Sequence, residues 1–180
     1  YLNRFTIGDD MHFIIYRQGE KLEFRFKLDD EYLPPIRKIY PEYEKSFTDY
    51  EVIGGMVLMP LSLNHIAIMI DKNPGMSKYL KPEAQHDAAV LITHVFPNSQ
   101  ASKSRVLTSG AILDEVNGEK IKTLDDFRNA VRKSQRGDFL TIKTTDKMFA
   151  VLSVDSVIKD EDFLSARYFY KKSALLEDIK

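Results

Sequence analysis

Four histidines, His12, His65, His86 and His94, are the side chains of this 180-residue chain best suited to proton transfer or metal binding. Their spacing argues against both. None forms a His-x-His or His-x-x-x-His pair, the spacings that turn two imidazoles towards one cation. Cysteine is absent, so disulfides and thiolate metal sites are excluded. His94 lies in the apolar run Ala89-Val90-Leu91-Ile92-Thr93-His94-Val95, where a packed imidazole is expected rather than a base. No nucleophile elbow or phosphate-binding glycine loop occurs, although a serine–histidine–aspartate set assembled only in space stays open. Asp125 and Asp126 open a helix, where carboxylates favour the positive end of the dipole; capping explains them better than acid–base work. Arg128, Arg132, Lys133 and Arg136 form a basic edge on that helix. A solvated face is its ordinary meaning, and contact with nucleic acid or an acidic partner is the alternative. The expectation is a chain with no catalytic residue, no metal and no cofactor.

Composition narrows the partners. A net charge of −1 gives no general attraction to nucleic acid or to acidic membranes. With 43% hydrophobic and 29% charged residues, the chain has an ordinary folding composition and not a disordered one. Its length allows one well-buried domain, or one domain and part of another. The first residue is Tyr1 and not an initiator methionine, so a fragment or processed product is expected. Val52 to Ile70 carries no Asp, Glu, Lys or Arg. That stretch approaches the roughly 20 residues of a spanning helix. Gly54-Gly55, Pro60, Asn64 and His65 interrupt it, so a buried strand followed by a helix is expected, with no membrane span.

The elements that would position these residues follow from periodicity. Lys21 to Leu28 alternates charged and apolar side chains, placing Leu22, Phe24, Phe26 and Leu28 on one face expected to be buried. Met11 to Tyr16 is its partner strand across a turn at Arg17-Gln18-Gly19-Glu20. Gly8-Asp9 before this hairpin matches Gly137-Asp138 before Leu140–Lys143 and Phe149–Leu152, an offset of about 129 residues that suits tandem modules. In front of each stands a helix-tail-like piece, Asn3-Arg4-Phe5 and Arg132 to Arg136. Two unrelated hairpins sharing a common turn is the plainer reading. Residues 31–49 hold Pro34-Pro35 and Pro41 among charges and read as a semi-rigid linker. Tyr32, Tyr40, Tyr43 and Phe47 give that linker enough aromatics to pack. Tyr50 to Met59 reads as one strand, Ser62 as the cap of a short helix, and 71–87 as a polar inserted loop. Asn117-Gly118 between apolar runs predicts a tight hairpin, and Thr123 to Ser134 an amphipathic helix. Residues 159–180 form a helix-compatible tail with aromatic Tyr168, Phe169 and Tyr170, which suit either an interface or the chain's own core.

From Ala88 to Val154 this order of signals resembles a PDZ domain, in the circularly permuted form of HtrA/DegP-type serine proteases. Gly55-Met56-Val57-Leu58-Met59-Pro60-Leu61-Ser62 is similar to the Gly-Leu-Val-Phe-x-Pro-Leu-Ser string of the second PDZ in plant-type Deg proteases and bacterial relatives. Arg17 to Phe24 resembles the Arg-x-Gly-x-x-x-x-Phe hairpin that closes their first PDZ. The tail, with Val151-Leu152 and then Ser173-Ala174-Leu175-Leu176, also resembles the subgroup, giving coverage of about residues 8–177. Two features depart. Val106-Leu107-Thr108-Ser109-Gly110-Ala111 lacks the Asp of the family's Gly-Leu-x-x-Gly-Asp, and the Gly-Asn-Ser-Gly-Gly nucleophile loop is absent, so no catalytic serine carries over.

The resemblance implies an α+β, mainly β fold. It would be a partly open barrel or sandwich capped by short helices, preceded by a hairpin from a truncated first PDZ. The implied boundaries are 1–30 for that hairpin, 31–49 for the linker, 50–158 for the second PDZ and 159–180 for the tail. It implies strand addition of an extended peptide, whose C-terminal carboxylate meets backbone N–H groups of a glycine loop. Gly55, Met56, Val57, Leu58 and Met59 would form that loop and strand, with Phe127 and Ala130 bordering the pocket across the groove. A glycine pair before an apolar strand is also common in buried sheets, so the groove either binds ligand or serves packing. The implied function is a non-catalytic peptide-binding or oligomerisation region of an HtrA/Deg-like serine endoprotease. Its partners would be peptide or unfolded segments, the parent's protease domain and further copies in a trimer-based assembly. A free-standing adaptor for protein C-termini and an enzyme with an unrecognised site are the alternatives. The compartment would be periplasmic in a bacterium, organellar or nuclear in a plant.

Overall fold

The computed structural model describes residues 5–6, 8–28, 33–40 and 49–179, and divides into a unit ending at Pro34 and a unit beginning at Pro35. In the first unit, the alternating residues form β1 (Asp10–Arg17) and β2 (Glu20–Lys27), an antiparallel hairpin turning at Gln18-Gly19. Met11 faces Phe26, Phe13 faces Phe24 and Ile15 faces Leu22, so one side is apolar up to the Arg17–Glu20 pair at the turn. Burial of that side is not what the structure shows. Phe24 and Phe26 are 48% and 47% exposed, while Leu22 and Leu28 are half-buried. A two-stranded hairpin has no second layer of its own to cover one face. The residues Asn3 and Arg4 lie outside the described ones, as do Tyr32, Pro41, Tyr43 and Phe47 of the linker.

Among the described residues, the second unit carries two small sheets and no closed barrel. In one, β3 (Glu51–Ile53), β4 (Met56–Pro60) and β5 (Val90–Val95) pair in the order β3-β4-β5. The other has the order β7-β6-β8-β9, from β6 (Leu113–Val116), β7 (Glu119–Lys120), β8 (Phe139–Thr144) and β9 (Phe149–Ser153). The helices are α1 (Leu63–Met69), α2 (Gln100–Ser104), α3 (Leu124–Arg132), α4 (Val154–Tyr168) and α5 (Ala174–Asp178). Tyr50 to Met59 is therefore not a single strand: the chain reverses at Gly54-Gly55, where both residues have positive φ.

Local chemistry sets the helix ends. Ser62 caps α1, and Thr123 caps α3 through a reciprocal box with Asp126, whose carboxylate accepts from the Thr123 N–H at 2.8 Å. Asn117-Gly118, both at positive φ, makes the tight β6–β7 turn. The main core lies between the sheets and α3, around the fully buried Phe127. A second core holds Ile36, Leu61, Ile66, Met76, Leu91 and Ile112. Strand β5 serves both: Val90 and Ile92 face the first core and Leu91 the second, which explains its unbroken apolar run.

Two segments gain detail here. The stretch 71–87 is polar and mostly exposed, but it has regular local structure. It forms 3₁₀ turns over Pro74–Leu80 and Pro82–His86, and Met76 and Tyr79, three residues apart, share one buried side. Part of the linker also packs, because Ile36 is fully buried and the Asn64 amide brackets the Ile39 backbone from both sides, at 2.8 and 2.9 Å. Among the described residues, no helix is long and apolar enough to cross a membrane.

Candidate functional site

The glycine turn is sealed on all sides by the protein. The Gly54 carbonyl accepts from the Ala101 N–H at 3.0 Å and the Gly55 carbonyl from the Phe96 N–H at 2.8 Å, which fastens the turn to the start of α2. A Cβ on Gly55 would stand 2.1 Å from Ser99 Cβ. Ser99 cannot give way easily. It is fully buried, caps α2 by accepting from the Ser102 N–H and donates to the Phe96 carbonyl at 2.7 Å. A Cβ on Gly54 would meet Leu152 Cδ1 at 3.2 Å and Val157 Cγ2 at 3.3 Å. Glycine is required at both positions by close approach as well as by φ.

Of the seven residues singled out for peptide binding, Met56 and Leu58 of β4 meet Phe127 and Ala130 of α3 in the main core, Gly55 sits at the turn, and Val57 and Met59 lie outside that cluster. Gly55, Met56, Leu58, Phe127 and Ala130 are buried, and Val57 and Met59 are half-buried. The neighbour of β4 in the sheet on this side is β3. Glu51 pairs with Leu58, Val52 with Val57 and Ile53 with Met56, so the edge of β4 away from β5 is taken by the chain's own strand. Ile53, 1% exposed, lines a small apolar cavity together with Val131, Leu140, Val154, Val157, Leu176 and Ile179.

Beside Ile53, a polar latch joins β3, α3 and the tail. Arg128 Nε donates to Glu51 Oε1 at 2.7 Å, and its two terminal nitrogens donate to Asp49 at 2.7 and 3.0 Å. The Ser173 hydroxyl, at the N-cap of α5, donates to the second Glu51 oxygen at 2.6 Å. The hydrogen bond from Arg128 holds the Asp49 carboxyl below its usual range, and the same pairing, against the opposing effect of burial, pushes the guanidinium further up. Arg128 is thus not part of a solvated basic edge: its carboxylate partners lie in its own chain, with its side chain only 19% exposed. Lys133, on the same edge, pairs with Glu119 at 2.6 Å. Sequence reasoning missed the latch because Glu51 and Arg128 lie 77 residues apart.

The tail wraps behind the glycine turn. Phe96 stacks between Tyr168 and Tyr170, at ring-centroid distances of 4.3 and 5.4 Å, and the Tyr168 hydroxyl donates to the Pro97 carbonyl. Only Phe169 of that aromatic group is left out, 93% exposed. Below the stack, Glu161 is 4% exposed and neither its carboxylate nor the Tyr170 hydroxyl closes a hydrogen bond. Burial raises the Glu161 carboxyl above its usual range; burial and the nearby Glu161 charge raise the Tyr170 phenol.

The histidines take separate duties. His94 is exposed, edge-on to Phe96 at 5.2 Å, and not packed in the core as its strand suggested. His12 sits 3.5 Å from Glu23 on the hairpin, and His86 is exposed. His65 completes the α1 capping box, its Nδ1 accepting from the Ser62 N–H at 3.3 Å. Among the described residues, no three His, Asp or Glu side chains converge as metal ligands would.

A protein-family model described as a PDZ domain matches residues 40–173, well over half of the chain. No curated protein matches.

Proposed function

We propose that this chain, which belongs to the PDZ domain family, is the non-catalytic interaction region of an HtrA/Deg-like serine endoprotease. A PDZ domain serves protein interaction by taking up a peptide strand. The observation that carries the recognition part is the packing of β4, which starts at the Gly54-Gly55 turn, near α3 through Met56, Leu58, Phe127 and Ala130, with a small apolar pocket lined by Ile53 and Val131 beside them. Such a pocket accepts an aliphatic side chain at the end of an added strand. The parent-protease part is supported by the resemblance of Gly55 to Ser62, and of the tail, to the Deg subgroup. In this proposal β1–β2 is the closing hairpin of a preceding PDZ module. Its apolar side of Met11, Phe13, Ile15, Leu22, Phe24 and Phe26 is what such a module would cover. The chain itself performs no bond cleavage. It captures peptide segments or holds copies in a trimer-based assembly, and so regulates a protease domain elsewhere in the protein.

The deciding experiment has two arms. Reading the gene upstream of residue 1 is expected to reveal a trypsin-like domain; its absence leaves a free-standing adaptor. Light scattering on the purified chain, with and without a C-terminal peptide library, is expected to register capture. A stable trimer that captures nothing would make assembly the principal role, and turnover of a protein substrate by the chain alone would overturn the proposal.

A further inference from the structure

Strand β3 ends where a captured C-terminus would end. It runs antiparallel to β4 along the edge that β5 leaves, and its last residue, Ile53, lies at the glycine turn with its side chain buried on the wall of the apolar cavity. Alternate residues of a strand point the same way, so Glu51 and Ile53 share a face. On α3 their receivers are Arg128 and Val131, three residues apart and therefore on one side of the helix. Two positions of β3 are thus met by two positions of α3, the acidic one by a guanidinium and the aliphatic one by Val131 on the same apolar wall. The chain then continues through the Ile53–Gly54 peptide bond, where a bound peptide would present its carboxylate.

We propose that β3 is an intramolecular ligand. Glu51-Val52-Ile53 takes the groove edge of β4 and is latched by Arg128 and Ser173, so an outside peptide enters only by displacing it. The class of partner follows from the same fit: a protein C-terminus with an acidic residue two places before a final aliphatic residue. This rests on the groove being the recognition site of the family reading. A tethered strand competes at an effective concentration on the order of millimolar, so the unaltered chain should bind such C-termini weakly.

The chain's lack of cysteine permits a reversible test. In a hairpin with a two-residue turn, Val52 and Val57 face one another as a non-hydrogen-bonded pair, where Cβ atoms approach most closely. A Val52→Cys/Val57→Cys chain would lock β3 to β4 when oxidised. A second variant, Glu51→Pro, removes a ladder N–H and the latched carboxylate together. The probe is a fluorescein-labelled peptide with the sequence of residues 47–53 and a free carboxylate, followed by anisotropy.

The oxidised chain should show no capture, reduction should restore it, and Glu51→Pro should bind at least tenfold more tightly than the unaltered chain. A probe carrying Lys in place of its Glu should bind at least tenfold more weakly to Glu51→Pro. Equal capture by oxidised and reduced chains overturns the intramolecular ligand, and equal binding of the Glu and Lys probes overturns the partner class. A different failure marks the underlying reading. If Glu51→Pro keeps its near-native circular dichroism and neither it nor the reduced chain takes up millimolar peptide, the groove is not a recognition site. Should Glu51→Pro fail to fold, the oxidised and reduced states of the cystine variant decide alone.

Discussion

Replacing Gly55 by alanine separates a glycine kept for ligand approach from one kept for packing. In the first case a methyl group projects into the space where a carboxylate would sit, and stability changes only through the backbone. In the structure, the added Cβ would lie 2.1 Å from Ser99 Cβ and 2.4 Å from Ser99 Oγ, with φ at +84°. A non-glycine residue in the left-handed region costs about 1–2 kcal/mol. Forcing an extra carbon into a filled space adds about 1–3 kcal/mol, so Gly55→Ala should lose about 2–5 kcal/mol. Gly118 provides the control, because it has φ +79° and no atom within 4 Å of an added Cβ. Gly118→Ala should therefore lose only the backbone part, about 1–2 kcal/mol. Urea denaturation at fixed pH measures both. Adding Ser99→Gly removes the clashing carbon while costing an N-cap only a few tenths of a kcal/mol, roughly. Gly55→Ala/Ser99→Gly should then recover about 1–3 kcal/mol relative to additivity. Equal losses for Gly55→Ala and Gly118→Ala, with no coupling to Ser99, would refute the packing explanation. An aspartate at Gly55 is a poor probe of peptide binding for the same reason, since it breaks the turn's packing before any ligand arrives.

Two further outcomes concern titrating groups inside the fold. Glu161 has a folded pKa raised above its unfolded value, so its favourable contribution exists below the unfolded pKa and is lost as pH rises through the folded one. Glu161→Gln should raise the melting temperature at pH 7.5, worth about 1 kcal/mol, and the gain should vanish near pH 4; a gain that persists unchanged in acid would exclude the buried charge as its cause. His65 has the opposite sign. Burial lowers its pKa, the Pro60 carbonyl opposing, so its contribution is present above the unfolded value and lost as pH falls through the folded one. Protonated Nδ1 cannot accept from Ser62, so the protection of the Ile66 amide, corrected for the intrinsic exchange rate, should fall as acid protonates His65. His65→Gln keeps an acceptor at the third helical position and should flatten that dependence; an unchanged pH profile would show that the box does not govern α1.

The parts legible in the sequence were those fixed by neighbours. Asn117-Gly118 demands positive φ twice in succession, and the chain has no other way to satisfy it than a tight turn. Thr123 with Asp126, and the alternation in Lys21–Leu28, are likewise decided within a few residues. Gly54-Gly55 was ambiguous because a glycine pair permits both an anion-facing loop and a hairpin reversal. Ser99, 44 positions beyond Gly55, and β3's pairing with β4 determine which occurs. Arg128 reads as a surface cation by helical spacing alone; only the return of Glu51 and Asp49 to α3 turns it inward. For the stretch 71–87, polarity masked a usable signal. Met76 and Tyr79 are three apart, a spacing that sets both side chains on one side of a 3₁₀ turn.

The C-terminal helix explains why the groove is closed rather than merely narrow. The family match stops at residue 173, where α5 is about to begin. Beyond that point the chain supplies Leu175, Leu176 and Ile179, all buried in the main core, and two of them line the same small cavity as Ile53. Ser173 joins this segment to Glu51 through its hydroxyl. Strand pairing alone over three residues is a weak hold, since short hairpins gain most of their stability from the layer that covers them. With α5 in place, withdrawing β3 means uncovering apolar side chains from two elements at once and leaving Arg128 with its strongest partners gone. The same two elements would therefore move together, and any signal that detaches the tail is also a signal that frees the groove.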